Sequence, residues 1–268
     1  MKKEFEEIFI RAGLEYVTAL DFEDCRVINP RLLNKLSFSP KSVIAFLVPY
    51  FVDEPLNFSA YAASLDYHTV INEIGKGLLG ELGALNPKNS FALFADHSPI
   101  DERGAAAFGG LGIIGDNRLL INEKYGTYVF IAEIISDLDV EAIGEAENKE
   151  IKYCEHCNRC KGACPSGALR EPLNPCLSAI TQKKGELSEE EIKIMLDADT
   201  VWGCDACQRV CPHNSSVALT PISAFYGERI TRLTTAEIEK MSDEDFFVRA
   251  FSWRGKNTVL RNLKYLGY

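Results

Sequence analysis

Residues 154–165 read CEHCNRCKGACP, four thiols within eleven residues and then a proline. A second group, CDACQRVCP, covers residues 204–212, and Cys176 lies between the two in LNPCLSAI. The first group has the spacing C-x2-C-x2-C-x3-C-P. Three thiolates at that spacing can take three iron corners of a cubane, while the chain carries the fourth to a neighbouring cluster. The region must therefore fold around inorganic groups rather than around an ordinary apolar core. The spacing predicts Cys154, Cys157, Cys160 and Cys211 on one 4Fe–4S cluster, and Cys164, Cys176, Cys204 and Cys207 on the other. The prolines after Cys164 and Cys211 turn the chain away and remove a backbone donor. Zinc is the competing metal, but it takes C-x2-C pairs two at a time in a tetrahedron, which suits this spacing less well. A disulfide framework is the third reading. Cys25, the ninth cysteine, is left as a bystander.

Composition narrows the setting. The 268 residues are 46% hydrophobic and 25% charged, ordinary values for a globular chain. No apolar run approaches the ~20 residues that span a bilayer. The longest, YVFIAEIISDL, is interrupted by Glu133. The start, MKKEFEEIFIRAG, lacks the apolar stretch of a secretory signal. The expectation is a cytoplasmic protein, where reduced cysteines bind metal or do redox work. A net charge of −10 argues against nonspecific nucleic-acid binding by the chain as a whole. A local basic stretch remains at the end, with Arg254, Lys256, Arg261 and Lys264; its ordinary reading is a solvated helix face.

Periodicity predicts an amphipathic helix over 3–12, a buried strand in SVIAFLVPYF and a helix over 60–82, weakened by Gly75 and Gly77. Two more buried strands are expected, in SFALFAD and in GTYVFIAEII. The acidic stretch DVEAIGEAENKE reads as a linker. Helices are expected again over 234–240, 243–251 and 256–266. FGGLGIIG follows a helical stretch rather than a strand, so it is a weak dinucleotide signal.

Taken in order, SAYAASLDYHTVI, FALFADHSPIDERGAAAFGGLGIIGDNRLLIN, CEHCNRCKGACPSGAL and VWGCDACQRVCPHN resemble the epoxyqueuosine reductase family over roughly residues 40–215. That family is iron–sulfur and cobalamin-dependent and is related to reductive dehalogenases. The resemblance implies an α+β chain. A nitroreductase-like N-terminal cobalamin domain (1–145) would be followed by a bacterial ferredoxin-like two-cluster domain (146–222) and a short helical tail (223–268). It implies base-off cobalamin fed with electrons by the two clusters, an external flavodoxin- or ferredoxin-type donor, no membrane, and the epoxide of epoxyqueuosine in tRNA as substrate. It also implies Asp96 as proton donor, with Asp66, Tyr67, His68, Ser98, Arg103, Gly110, Gly112 and Gly115 along the corrin. Desolvation over a macrocycle would raise the pKa of Asp96. Its plain alternative is a helix N-cap or an ion pair with Arg103. Trp202 would shield a cluster.

The sequence departs from the family on the substrate side. Ile113 and Asp116 stand where the family usually has tryptophan and lysine, and an acid at 116 would repel a phosphate. The chain ends at Tyr268, where longer members continue into helical repeats. Three readings stay open: an epoxyqueuosine-type reductase, a corrinoid reductase of another substrate, and a ferredoxin-like carrier without corrinoid. Cobalamin binding and a tRNA assay separate them.

Overall fold

Apolar runs bounded by turn residues become strands, because only pairing satisfies their backbone once they are buried. The computed structural model describes residues 1–147 and 149–268; Asn148, inside the stretch expected as a linker, lies outside the described residues. The chain divides into two units, residues 1–49 with 70–156 and residues 50–69 with 157–268. These differ from boundaries drawn along the sequence at 145 and 222. A segment of the N-terminal half and the whole tail both join the cysteine region.

The first unit contains α1 (Lys3–Arg11), β1 (Val17–Asp21), α2 (Pro30–Leu33), β2 (Ser42–Pro49) and α3 (Tyr67–Leu85, in this unit from Val70). It continues with β3 (Phe91–Ala95), α4 (Glu102–Phe108), β4 (Ile113–Ile114), β5 (Leu120–Ile121), β6 (Val129–Ser136) and α5 (Val140–Ile143). Four strands form an antiparallel sheet in the order β1-β2-β6-β3. Central β2 is buried at every position. Edge strand β3 is only half-buried along its length, a correction to the fully buried strand expected there: an edge strand has one neighbour, not two. Alternate residues face opposite sides. On one side Phe9 of α1 meets Phe46 with ring centroids 5.4 Å apart. A Cβ on Gly75 of α3 would collide there with Leu93, so the glycine that weakens the helix is what lets it approach β3. On the other side Ala106 and Ala107 of α4 pack against Ala45 and Leu47.

Two further expectations change. The helix expected over 60–82 begins only at Tyr67, after a 3-10 turn at Ala60–Ala62. The expected linker is tied into the first unit: Val140 and Ile143 are buried, and Ala146 N–H donates to Ala19 C=O at 2.9 Å.

The second unit holds α6 (Arg159–Ala163), α7 (Leu177–Thr181), α8 (Glu189–Asp197), α9 (Ala206–Arg209), α10 (Thr235–Lys240), α11 (Asp243–Phe247) and α12 (Lys256–Leu266). The expected helix over 243–251 stops at Phe247 and gives way to a 3-10 turn at Ser252–Arg254. Its core gathers Phe58, Trp202, Phe246, Phe251, Val259 and Leu263. Among the described residues no helix is long and apolar enough to cross a membrane.

Candidate functional site

Cys204 sits on a loop that the second unit grips from three directions. Val201 N–H donates to Asn57 C=O at 2.7 Å and Ser59 N–H to Trp202 C=O at 2.8 Å. Thr181 Oγ1 accepts from Gly203 N–H at 3.0 Å, and Asn262 Nδ2 of α12 donates to the carbonyls of Thr181 and Val201 at 2.7 and 2.8 Å. Buried Asp205 accepts from Ser59 Oγ at 2.5 Å and from Ala60 N–H at 2.7 Å. Gly203 has φ +69° and a Cβ there would lie 2.5 Å from Ser59 Cβ, so the turn that delivers Cys204 requires glycine. Trp202 is fully buried, with Nε1 donating to Tyr61 Oη at 2.9 Å.

This framework gathers thiols. Burial pushes the Cys204 thiol up to about 11, and the neighbouring Cys176 and Cys164 push the same way. Cys207 is raised to about 12 by burial, then by Cys204 and Cys176, with Asp205 and Cys160 adding to it. Among the described residues no two cysteines are joined in a disulfide. Sulfurs that repel one another as thiolates, partly out of water, are the donor set that a polynuclear iron centre neutralises. The residues present fit a cluster.

Cys154 belongs to the first unit and is held by the glycine loop. Its N–H donates to Ile114 C=O at 3.0 Å, and Asp116 N–H donates to its Sγ at 3.4 Å. β4 and β5 pair across the loop, and a Cβ on Gly112 would strike the Ile121 carbonyl. Gly115 packs on the Asn117 side chain, while Gly110 takes φ +82°. Asp116 Oδ1 lies 2.8 Å from His156 Nδ1, so this acid faces a histidine beside Cys154.

Asp96 directly follows β3 and lies in the left-handed region, φ +60°. It is the middle of a three-residue turn closed by His97 N–H on Ala95 C=O at 2.6 Å. A non-glycine residue in such a turn is strained, a condition that clusters at functional sites. Asp96 is exposed, Glu102 is half-buried and Glu133 is fully buried. Glu102 Oε2 accepts from Asp96 N–H at 3.2 Å. Burial raises Glu102 to about 7, helped by the charges of Asp96 and Asp101 and opposed by the Asp96 N–H and Arg103. Glu133, fully buried in mid-β6 opposite Ala45 and Phe94, is held well above the carboxylate range by burial and then by Glu102; the Ser98 hydroxyl opposes this. Ser98 Oγ donates to Glu133 Oε1 and accepts from Ile100 N–H at 3.0 Å. The N-cap of α4 is Asp101, and Arg103 donates to the Arg118 carbonyl.

Asp66, Tyr67 and His68 fall in the second unit, whereas Ser98, Arg103 and the glycines fall in the first. The Asp66 carboxylate accepts from His68 N–H and approaches His68 Nδ1, both at 2.9 Å, and so caps the start of α3. The Tyr67 and His68 rings stack at 4.1 Å.

Residues 153–214 match the family described as a 4Fe-4S double cluster binding domain. An epoxyqueuosine reductase from Cyclobacterium marinum is 32% identical over 256 residues, covering 90% of this chain and 77% of that protein. The chain belongs to the epoxyqueuosine reductase family. Its cysteine region therefore carries two 4Fe–4S clusters. The epoxyqueuosine reductase of Lactococcus garvieae is 31% identical over 78% of this chain, and the match spans 60% of that longer protein. A crystal structure of an epoxyqueuosine reductase with an epoxyqueuosine-modified tRNA-Tyr stem loop aligns with TM-score 0.80 at 23% identity, covering 98% of this chain and 80% of that one, which establishes the shared fold. Within this family frame, sequence reasoning missed Glu102 and Glu133. Glu133 had left a signal, as the acid in the middle of the longest apolar run. Glu102, in SPIDER, had none beyond its proximity to Asp96.

Proposed function

We propose that the chain is an oxidoreductase that reduces the epoxide of epoxyqueuosine in tRNA to the alkene of queuosine, using its two clusters and cobalamin. The observation that carries this reading is exposed Asp96, held in a strained turn at the end of β3 in a chain of this family. Low-potential iron–sulfur centres deliver electrons one at a time, and cobalamin would supply a strongly reduced cobalt centre that meets the epoxide. The protein's part is to give a proton to the departing oxygen. Asp96 is the donor in this reading, and a general acid of this kind contributes about 10²–10⁴-fold.

Several finer assignments belong to the same proposal. Residues 1–145 would be a nitroreductase-like cobalamin domain, 146–222 the ferredoxin-like part and 223–268 the tail. One cluster would use Cys154, Cys157, Cys160 and Cys211, the other Cys164, Cys176, Cys204 and Cys207. Asp66, Tyr67, His68, Ser98, Arg103, Gly110, Gly112 and Gly115 would lie along the corrin, and the Ser98 hydroxyl also steadies the loop that carries Asp96. A cytoplasmic flavodoxin or ferredoxin would supply electrons.

Anaerobically purified chain should contain about eight irons, the sum of two four-iron clusters. It should bind cobalamin, with optical and EPR changes on reduction, and convert epoxyqueuosine-tRNA. Asp96→Ala should keep iron and cobalamin and lose turnover; wild-type turnover in that variant removes Asp96 from the mechanism. Net charge −10 favours, as a second reading, a corrinoid reductase of another substrate. Cobalamin binding without tRNA conversion would select it. Absence of corrinoid binding would leave an electron carrier.

A further inference from the structure

The segment from Asp96 to Ile100 is anchored twice, each time by a carboxyl on the α4 side of the sheet. Glu102 Oε2 takes the Asp96 N–H at 3.2 Å, and Glu133 Oε1 takes the Ser98 hydroxyl. Glu133 is fully buried, and its Oε2 has no hydrogen-bond partner among the described residues. A buried acid with an unsatisfied oxygen is costly, and such groups persist where a particular conformation depends on them. Asp96 needs that support, because its left-handed turn survives only when its surroundings impose it.

We propose that Glu102 is a positioning residue, whose carboxyl holds the Asp96 amide, keeps the strained turn closed and so aims the Asp96 side chain, with Glu133–Ser98 as the second anchor. The proposal rests on the reading of Asp96 as the acid. The grip depends on charge, since an ionised carboxylate accepts a stronger bond from N–H than a neutral one does. The groups that set the ionisation of Glu102 are Asp96, Asp101 and Arg103, with Glu133 buried nearby and itself raised by Glu102. As pH falls through about 7, Glu102 gains a proton and the hold on Asp96 loosens.

The test is amide hydrogen exchange over residues 95–98 in the iron-loaded chain, corrected for intrinsic rates, at pH 6 and 8. At pH 8, Glu102→Ala should exchange at Asp96 about tenfold faster than wild type, the size of one hydrogen bond to a charged group. Glu102→Gln, whose amide oxygen can accept the same bond without charge, should fall between them, and wild type at pH 6 should approach it. Equal exchange in Glu102→Ala and wild type overturns the proposal. So does a Glu102→Gln protein that keeps the wild-type difference between pH 6 and 8. None of these readouts requires turnover. If Asp96→Ala leaves activity intact while the exchange results hold, the reading of Asp96 fails and the anchor stands. In turnover, Glu102→Gln should lower kcat with little change in KM and flatten the pH–rate profile between pH 6 and 8.

Discussion

A single carboxylate in the wrong place often says more than a run of apolar residues. Glu133 sits in the middle of a sheet strand, and among the described residues its carboxyl takes one hydrogen bond, from Ser98. Ser98→Ala should leave both oxygens without a partner and destabilise the chain by about 1–3 kcal/mol, measured as a shift in the urea midpoint at constant slope. An unchanged midpoint would mean that the loop relaxes to supply another donor. Cys25 shows the opposite case. It is buried, its thiol is pushed up to about 12 chiefly by burial, and it approaches the Asp21 carbonyl at 3.6 Å, which suits the inert bystander expected from sequence. That the region around 153–214 binds two clusters was legible from cysteine spacing alone, because ligand geometry is imposed by the metal. Glu102 was not legible, because its importance lies in a contact with the Asp96 backbone that no side-chain pattern encodes.

At the scale of elements, long apolar runs were readable and short mixed ones were not. The helix over 256–266 appears as Lys256–Leu266, and the helix over 3–12 as Lys3–Arg11. β1 went unseen, since VTALD is too short to show a period and becomes a strand only by pairing with β2. The turn before Cys204 depends on elements distant in sequence: the 57–60 segment, α7 and α12 all bond to it. Gly203→Ala should strain this turn and press Ser59, so the variant should bind less iron after anaerobic reconstitution and melt earlier, with a cost of about 1–3 kcal/mol. Full iron content at wild-type Tm would show that the 57–60 segment yields. The basic tail also takes a structural part, as Arg261 donates to the carbonyl of Lys183 at 2.6 Å and Lys256 to that of Met241 at 3.0 Å.

For the molecule as a whole, the raised acids set how stability varies with pH. Glu102 titrates at about 7 in the fold against an ordinary 4.5, so between those values the unfolded chain has already released a proton that the folded chain keeps. Rising pH across that window therefore pulls toward unfolding. Wild type should lose Tm from pH 5 to 7 relative to Glu102→Gln, and the two curves should run parallel above about pH 8; parallel curves throughout would show that Glu102 is not perturbed. In Glu102→Gln, Glu133 also loses the push of the Glu102 charge, which adds to the difference in the same direction. The sequence by itself determined the metal chemistry, the apolar strands and the family, because these depend on spacing, period and ordered motifs along the chain. Only the tertiary structure decided that residues 50–69 join the cysteine unit, that the acidic stretch near 140 packs onto the first unit, and that half-buried Glu102 and fully buried Glu133 hold the segment from Asp96 to Ile100. Those outcomes depend on which distant backbone groups find partners and which side chains lose water, and neither is written in local order.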